Sequence, residues 1–292
     1  MAAHLKIVPD PEPEAEELEE LEELQGAEDA DDGLRPPSRA LLALEARAFL
    51  ELGWFVQSLP LLSLTPRGDG HPVLVLPGFT AGDLSTAPLR RFLESRGFHA
   101  HGWNQGRNLG MRPGLDLRMA RRLRGIHWRF GCKVSLVGWS LGGIYARELA
   151  RQHPDQVRQV ITLGSPFNLS ARANHAWRLY ELLSGESVDD EQELLERLRE
   201  PLPVPTTAIY SRTDGVVAWQ TCVDDESRPH TENVEVPGSH CGLGFNPLVA
   251  FVLLDRLSQA EGFWRPFDRR GLRRLFYRRP PANPRLALED EV

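Results

Sequence analysis

The stretch Val134-Ser-Leu-Val-Gly-Trp-Ser-Leu-Gly-Gly143 is the most informative part of the sequence. It contains the pattern Gly-x-Ser-x-Gly with Ser140 at its centre, and an apolar run leads into it. Residues 144–151 continue with the composition of a helix. The order of strand, tight turn and helix predicts a nucleophile elbow, in which a serine side chain is exposed on a strained turn. Gly138 and Gly142 leave room for such a turn, because side chains at these two positions would collide with it.

The same pattern also marks ordinary turns, so the prediction depends on which residues follow the serine. A serine needs a base to become a nucleophile, and the base needs a carboxylate to orient it. Asp214 fits the carboxylate role, because it follows the strand-like run 205–211 and precedes Gly215, which permits a tight turn. Three alternative acids lie in a polar stretch that is typical of an exposed loop: Asp224, Asp225 and Glu226.

His240 is the candidate base. Residues 233–236 alternate as a short strand, and the Gly-rich loop 237–242 that follows contains this histidine. In folds with a nucleophile elbow, the nucleophilic serine, the acid and the histidine follow one another in this order along the sequence. None of the other histidines combines this order with a preceding strand, and we interpret them as structural or solvated.

An acyl-transfer intermediate also needs backbone N–H groups that bind its oxyanion. Leu141, directly after the serine, is the first candidate. Phe79 is the second, because it follows the buried-type strand 73–76 and a Pro-Gly turn, although an ordinary strand-to-loop junction explains this segment equally well. Three aromatic residues are predicted to bind substrate: Trp139 beside the serine, and Trp177 and Tyr180 in a later insertion.

Strand-like and helix-like segments alternate along the chain. Strands are predicted over 73–76, 98–103, 133–138 and 157–163, before the two strands that precede Asp214 and His240. This alternation predicts an α/β fold with a mostly parallel central sheet and helices on both faces. In such sheets the active site lies at the carboxyl ends of the strands.

The predicted organisation has three parts. They are a disordered acidic tail over 1–37, a main domain over 38–262 and a basic extension over 263–292. A short helical cap is predicted within the main domain at about 168–204. The alternative for this insertion is a helical hairpin whose aromatic side chains only pack on the body of the domain.

Five segments together resemble the α/β-hydrolase superfamily, in particular its bacterial esterases and lipases. They are Leu76-Pro-Gly-Phe79, Gly138-Trp-Ser-Leu-Gly-Gly143, Leu163-Gly-Ser-Pro-Phe167, Asp214-Gly-Val-Val217 and Gly238-Ser-His-Cys-Gly242. The resemblance covers residues 71–248 and implies a serine hydrolase of the α/β-hydrolase fold. The chain departs from many lipases at Phe167, where those enzymes often carry a histidine after the proline.

The charge of the chain is unevenly placed. Residues 1–35 hold thirteen acidic and two basic residues, a net charge of −11, whereas the other 257 residues hold 32 basic and 28 acidic residues, a net charge of +4. The acidic stretch is expected to be disordered, with a partner-binding arm as the alternative. The sequence has neither an apolar run of about 18 residues nor a secretory signal, so a cytoplasmic protein is expected.

Only three cysteines occur in the 292 residues, and their spacing does not match a metal site. Cys241 adjoins the candidate base, and we interpret it as a loop-packing residue because Ser140 already fills the nucleophile role. A reduced compartment is therefore predicted, and neither a cofactor nor a metal is expected.

Segments at both ends of the main domain have sequence patterns that are typical of binding to a membrane surface. Ser38 is predicted to cap a helix that runs to about residue 58 with a broad apolar face, which either packs on the domain or lies on a membrane surface. The segment 269–279 places six arginines among Leu272, Leu275, Phe276 and Tyr277. This pattern predicts peripheral contact with an anionic membrane, with a fold-back onto the acidic tail as the alternative. No nucleic-acid partner is expected.

These patterns together predict an esterase- or lipase-like serine hydrolase. It would cleave a carboxylic ester, either a small molecule or a lipid, through an acyl-enzyme. Two alternatives stay open at the level of sequence. One is an acyltransferase that uses the same three residues, and the other is a non-catalytic scaffold that keeps the fold.

Overall fold

A computed structural model describes residues 36–65, 67–168, 197 and 200–278. The predicted acidic tail before residue 36 lies outside these residues. So do most of the predicted cap, with Trp177 and Tyr180, and the end of the basic extension after residue 278.

The described residues contain one parallel sheet of six strands in the order β2-β1-β3-β4-β5-β6. The strands are β1 Pro72–Leu76, β2 His99–Gly102, β3 Val134–Trp139, β4 Val157–Leu163, β5 Thr206–Tyr210 and β6 Thr231–Glu235. Every residue of β1, β3 and β5 is buried, as expected for strands that are covered on both faces. The predicted mostly parallel sheet is confirmed.

Helices cover both faces of the sheet, as predicted. They are α1 Arg39–Ala43, α2 Ala48–Leu62, α3 Ala87–Ser95, α4 Leu115–Phe130, α5 Leu141–Gln152 and α6 Pro247–Leu257. Strand β1 shows why the faces separate, because successive side chains of a strand point to opposite sides. Val73 and Val75 join a core with α2, α3 and α6, whereas Leu74 and Leu76 join a core with α4 and α5.

The N-terminal helix differs from its prediction. Ser38 does cap it, since its hydroxyl accepts the Leu41 N–H at 3.3 Å. The helix is interrupted by a 3-10 turn at Leu44–Arg47 and then continues as α2 to Leu62, past the predicted end near residue 58. The reason for the longer helix is packing, because Phe55 and Leu62 are buried in the core beneath it. The side of α2 that faces the domain also buries a carboxylate, Glu51.

The C-terminal segment 263–278 returns to the domain after α6. Phe267 and Tyr277 are buried and contact each other edge to face at 4.8 Å between ring centroids. The Tyr277 hydroxyl also donates to the Leu248 carbonyl at 3.1 Å. Among the helices that the structure describes, none has the length and apolar character needed to cross a membrane.

Candidate active site

Ser140 lies between β3 and α5 with a strained backbone. Its φ is 52° and its ψ is −125°, a conformation that non-glycine residues rarely adopt. The turn also brings backbone segments close together at the two flanking glycines. A Cβ on Gly138 would lie 2.3 Å from the Gly143 Cα, and a Cβ on Gly142 would lie 2.3 Å from the Leu76 carbonyl oxygen. Both positions therefore require glycine, and the serine is held on a sharp strand-to-helix turn.

The structure brings Asp214 and His240 into contact. Asp214 lies in the loop 211–217 after β5, here called the acid loop. His240 begins the 3-10 helix His240–Phe245 and belongs to the segment 236–242 after β6, here called the base loop. The Asp214 Oδ2 is 2.6 Å from the His240 Nδ1, and both side chains are buried. The other Asp214 oxygen accepts N–H groups from Val216 at 2.8 Å and Val217 at 2.7 Å. This carboxylate is therefore fixed in place, and it selects the histidine tautomer in which Nε2 can accept a proton.

Two contacts tie this pair to the turn that carries the serine. The Trp139 indole N–H donates to the His240 carbonyl oxygen at 3.0 Å. A Cβ built on Gly164, at the end of β4, would lie 3.1 Å from the His240 Nδ1, and the carbonyl of the preceding Leu163 accepts the Ser140 N–H at 2.8 Å. These contacts give Trp139 a role in holding the base loop, which the substrate-binding prediction did not include.

The alternative acids have other partners. Asp224 is 2.6 Å from the guanidinium of the buried Arg147, and Asp225 accepts from Arg228 at 3.0 Å. Hydrogen bonds from Ser227 lower the pKa of Asp225. The structure therefore brings Asp214, and neither of these two residues, to His240.

The loop after β1 passes next to the serine. A Cβ on Gly78 would lie 3.2 Å from the Ser140 Cβ, so the following residue, Phe79, lies on a segment that adjoins the elbow. The buried Asn108 holds this segment, because its side-chain amide donates to the Pro77 carbonyl at 2.9 Å. Leu141 is the first residue of α5. The assignment of Phe79 and Leu141 to an oxyanion hole stays a prediction.

The electrostatics of the site favour a charged His240. Burial alone would lower its pKa, but the charge and hydrogen bond of Asp214, together with the charge of Glu45, outweigh burial and raise the pKa above its ordinary value of 6.5. Partial burial and the Glu45 carboxylate raise the pKa of the neighbouring Cys241 to about 12. The Cys241 thiol is therefore protonated at neutral pH. The residue is exposed, so the structure does not support its interpretation as a loop-packing residue.

Residues from the N-terminal segment also reach both loops, and the sequence patterns did not indicate this. Glu45 Oε1 accepts the N–H groups of Gly215 at 2.8 Å and His240 at 2.9 Å, and its Oε2 accepts the Cys241 N–H at 2.8 Å. Glu51 accepts the backbone N–H of Ser239 at 2.8 Å and its hydroxyl at 2.9 Å.

Arg47 adds a third link from the same segment. Its guanidinium donates to the Thr213 carbonyl, to the Thr213 hydroxyl at 3.0 Å and to the Gly238 carbonyl at 2.9 Å. Thr213 belongs to the acid loop and Gly238 to the base loop. The N-terminal segment is thus bonded to both loops.

Ser135, His71 and Asp69 form a second hydrogen-bonded series of serine, histidine and aspartate, near the amino ends of β1 and β3. His71 Nδ1 is 2.5 Å from Asp69, and its Nε2 is 2.8 Å from the Ser135 hydroxyl. Ser135 is fully buried near the start of β3, where the register with β4 shifts, and unlike Ser140 it does not have a positive φ. Burial lowers the pKa of His71. The serine of this series does not lie on an exposed turn. Its replacement is therefore a control for replacement of Ser140.

Within the residues that the structure describes, no group of three or more histidine, cysteine or acidic side chains is arranged to hold a metal ion.

Comparison with known proteins finds solved structures with a similar fold. No protein-family model matches the sequence, and a search of curated proteins finds no match either. Among solved structures, lipase B of Aspergillus fumigatus is similar with a TM-score of 0.52 and 21% identity, over 65% of this chain and 53% of the lipase. The mature lipase BlEst2 of Bacillus licheniformis is similar with a TM-score of 0.50 and 19% identity, over 67% of this chain and 95% of the lipase. The aligned part thus spans about half of the first lipase, and this chain has the α/β-hydrolase fold.

Proposed function

We propose that this protein is a serine hydrolase that cleaves carboxylic esters. The observation that carries the proposal is the 2.6 Å contact between His240 and the doubly anchored Asp214. This pair follows the carboxyl ends of β5 and β6, and a serine in strained elbow geometry follows the carboxyl end of β3 in the same parallel sheet. A histidine oriented by a buried carboxylate activates a serine hydroxyl for acyl transfer. The fold is compatible with this chemistry, and both solved structures named above are lipases.

The proposed reaction has two halves. In the first, the Ser140 oxygen attacks the ester carbonyl while His240 Nε2 takes the serine proton. The tetrahedral oxyanion is bound by backbone N–H groups, for which Phe79 and Leu141 are the candidates. The carbon–oxygen bond to the alcohol then breaks, the alcohol receives the proton from His240, and an acyl-serine remains.

The second half repeats the sequence with water. His240 takes a proton from water, the resulting hydroxide attacks the acyl-serine, and the serine oxygen leaves with the proton from the imidazolium. Asp214 stays ionised throughout and stabilises the cationic imidazole. The products are a carboxylic acid and the free enzyme.

A lipid or small-molecule ester with an apolar acyl part is the proposed substrate class. The support is the similarity in fold to two lipases. Trp177 and Tyr180, predicted to contact the acyl chain, lie outside the described residues and remain part of the proposal.

A series of p-nitrophenyl esters from acetate to palmitate tests the proposed function. We expect turnover of esters with release of the free acid, even when an alcohol such as glycerol is added as a competing acceptor. The Ser140→Ala variant provides the background rate. Transfer of the acyl group to glycerol would make the protein an acyltransferase, and turnover no faster than the variant's would make it a scaffold.

A further inference from the structure

The outward side of α2 is apolar and exposed to a degree that is unusual for a surface helix. Five large side chains form what we call the apolar face, with exposed fractions from 57% to 82%: Phe49, Leu50, Trp54, Val56 and Leu61. The only charged side chain in this 15-residue helix is Glu51, which is buried. A surface helix normally places charged residues on the side away from the core. Large exposed apolar patches mark interaction surfaces.

The apolar face continues into the C-terminal segment. The end of α2 and residues 263–277 line one open cleft of about 1520 Å³. Four more apolar side chains at this cleft are more than half exposed: Leu64, Phe263, Leu272 and Phe276. The exposed apolar surface therefore spans two elements that are far apart in the sequence.

Positive charge borders this surface. Residues 263–278 contain six arginines against a single acidic residue, Asp268. Arg270, Arg274 and Arg278 are exposed to solvent. Arg273 instead lies over the Phe251 ring, 5.0 Å from its centroid, which holds the segment against α6. Exposed aromatic and leucine side chains next to a cluster of arginines are the features with which proteins bind anionic lipid surfaces.

We propose that the apolar face and the segment 263–278 together form a docking surface for an anionic membrane. The leucine, phenylalanine and tryptophan side chains would enter the boundary between headgroups and acyl chains, while the arginines contact lipid phosphates. This docking surface is separate from the proposed chemistry at Ser140, and it predicts a protein that binds reversibly to membranes rather than one that spans them.

Sedimentation with lipid vesicles tests the docking surface. The full chain is mixed with vesicles of phosphatidylcholine alone or with 30 mol% phosphatidylglycerol added. We expect binding to the anionic vesicles that weakens as the salt concentration rises. The double variant Trp54→Glu/Leu61→Glu should bind these vesicles at least tenfold more weakly, because each change removes an apolar side chain from the interface.

Trp128 provides the matched control. Its side chain is 80% exposed on α4, which packs on the other face of the sheet, so Trp128→Glu should bind vesicles as the unaltered protein does. Circular dichroism checks that all variants are folded. Equal binding by the double variant and the unaltered protein would overturn the proposal, as would binding that does not distinguish the two vesicle types. Dimerisation that is lost in the double variant would also overturn it, because a second copy would then cover the face.

A second inference comes from the bonds of the N-terminal segment and rests on the proposed function. Glu45 is buried, and its carboxylate accepts three backbone N–H groups, one from the acid loop and two from the base loop. We propose that Glu45 is a positioning residue, which holds the two loops at the separation that the contact between Asp214 and His240 requires. Its negative charge also stabilises the protonated form of His240, along with Asp214.

The hydrogen bonds of Glu45 predict how the Glu45→Gln variant differs in activity from the unaltered protein. In Glu45→Gln, one side-chain oxygen can still accept two N–H groups, but an NH2 group would face the Cys241 N–H, and the charge is lost. The other charged groups that contact the two loops, Arg47, Glu51 and Glu235, remain. We expect kcat to fall roughly 10- to 100-fold with little change in KM, because a misplaced base slows chemistry more than binding.

The pH profile separates positioning from a purely structural role. The proposed mechanism needs neutral His240, so activity should fall as the pH drops through its pKa, which lies above 6.5 in the unaltered protein. In Glu45→Gln the pKa of His240 should be lower, so the acid limb of kcat/KM should move to lower pH. Glu45→Asp keeps the charge, so its acid limb should stay near that of the unaltered protein.

Glu232→Gln is the control for loss of a buried carboxylate. Glu232 pairs with Arg256 at 2.6 Å and accepts the Phe267 N–H, so it does not touch either catalytic loop. It should lower the thermal stability but leave the acid limb in place. An acid limb that does not move in Glu45→Gln, in a protein that does hydrolyse esters, would overturn the positioning role. Absence of turnover in the unaltered protein would instead overturn the proposed function.

Discussion

Replacement of Ser140 by alanine is expected to reduce ester turnover by roughly 10⁵- to 10⁶-fold, the loss seen when a triad nucleophile is removed. The serine oxygen forms the covalent bond to the acyl group, and alanine has no atom that can replace it. The fold should persist, because the backbone of the elbow is set by the close approaches at Gly138 and Gly142. Steady-state kinetics with a p-nitrophenyl ester measures the loss.

Ser135→Ala is the matched control for this variant. Ser135 also lies 2.8 Å from a histidine that contacts an aspartate, but it is buried near the amino end of β3. Its removal leaves the His71 Nε2 without this hydroxyl, which costs about 1–3 kcal/mol of stability. Turnover should stay within a few-fold of the unaltered value. A Ser140→Ala protein that retains more than a tenth of the activity would contradict the proposed nucleophile.

Replacement of Asp214 by asparagine is expected to reduce kcat by about 10⁴-fold, the size of effect reported for the orienting carboxylate of a triad. The N–H groups of Val216 and Val217 both donate to Asp214 Oδ1, so they require an acceptor at that position. The amide oxygen must therefore take this place, and the NH2 group must face His240 Nδ1. A donor there forces the tautomer whose Nε2 already carries a proton, and this tautomer cannot accept the serine proton.

Asp225→Asn is the control for the acid. Asp225 belongs to the alternative acidic stretch and contacts Arg228 on the surface. Its replacement should leave kcat unchanged within about twofold, since surface substitutions rarely alter distant sites. If Asp225→Asn lost activity while Asp214→Asn kept it, the assignment of the orienting carboxylate would be wrong.

The sheet could be predicted from the sequence because its signals are local. The apolar runs in β1, β3 and β4 and the helical spacing between them are sufficient to predict a parallel α/β sheet. The nucleophile elbow could also be predicted from the sequence, because the conformation of Ser140 depends on glycines only two residues away. Asp214 and His240 could be proposed because parallel strands place their carboxyl ends at one edge of the sheet.

The residues that hold the acid loop and the base loop in place could not be predicted from the sequence. Glu45 contacts residues 170 to 196 positions further along the chain, and no local pattern separates a buried glutamate in a helix from a solvated one. The indole of Trp139 likewise contacts a carbonyl 101 residues away. The proposed docking surface depends on tertiary structure too, because folding alone places the end of α2 beside the segment 263–277.

Covalent labelling tests whether Ser140 is an activated nucleophile. The full chain is treated with a fluorophosphonate, and the adduct is located by intact mass and peptide mapping, alongside Ser140→Ala and Ser135→Ala. We predict a single adduct on Ser140 in the unaltered protein and in Ser135→Ala, and none in Ser140→Ala. A folded protein that is not labelled, or an adduct that persists in Ser140→Ala, would contradict the account.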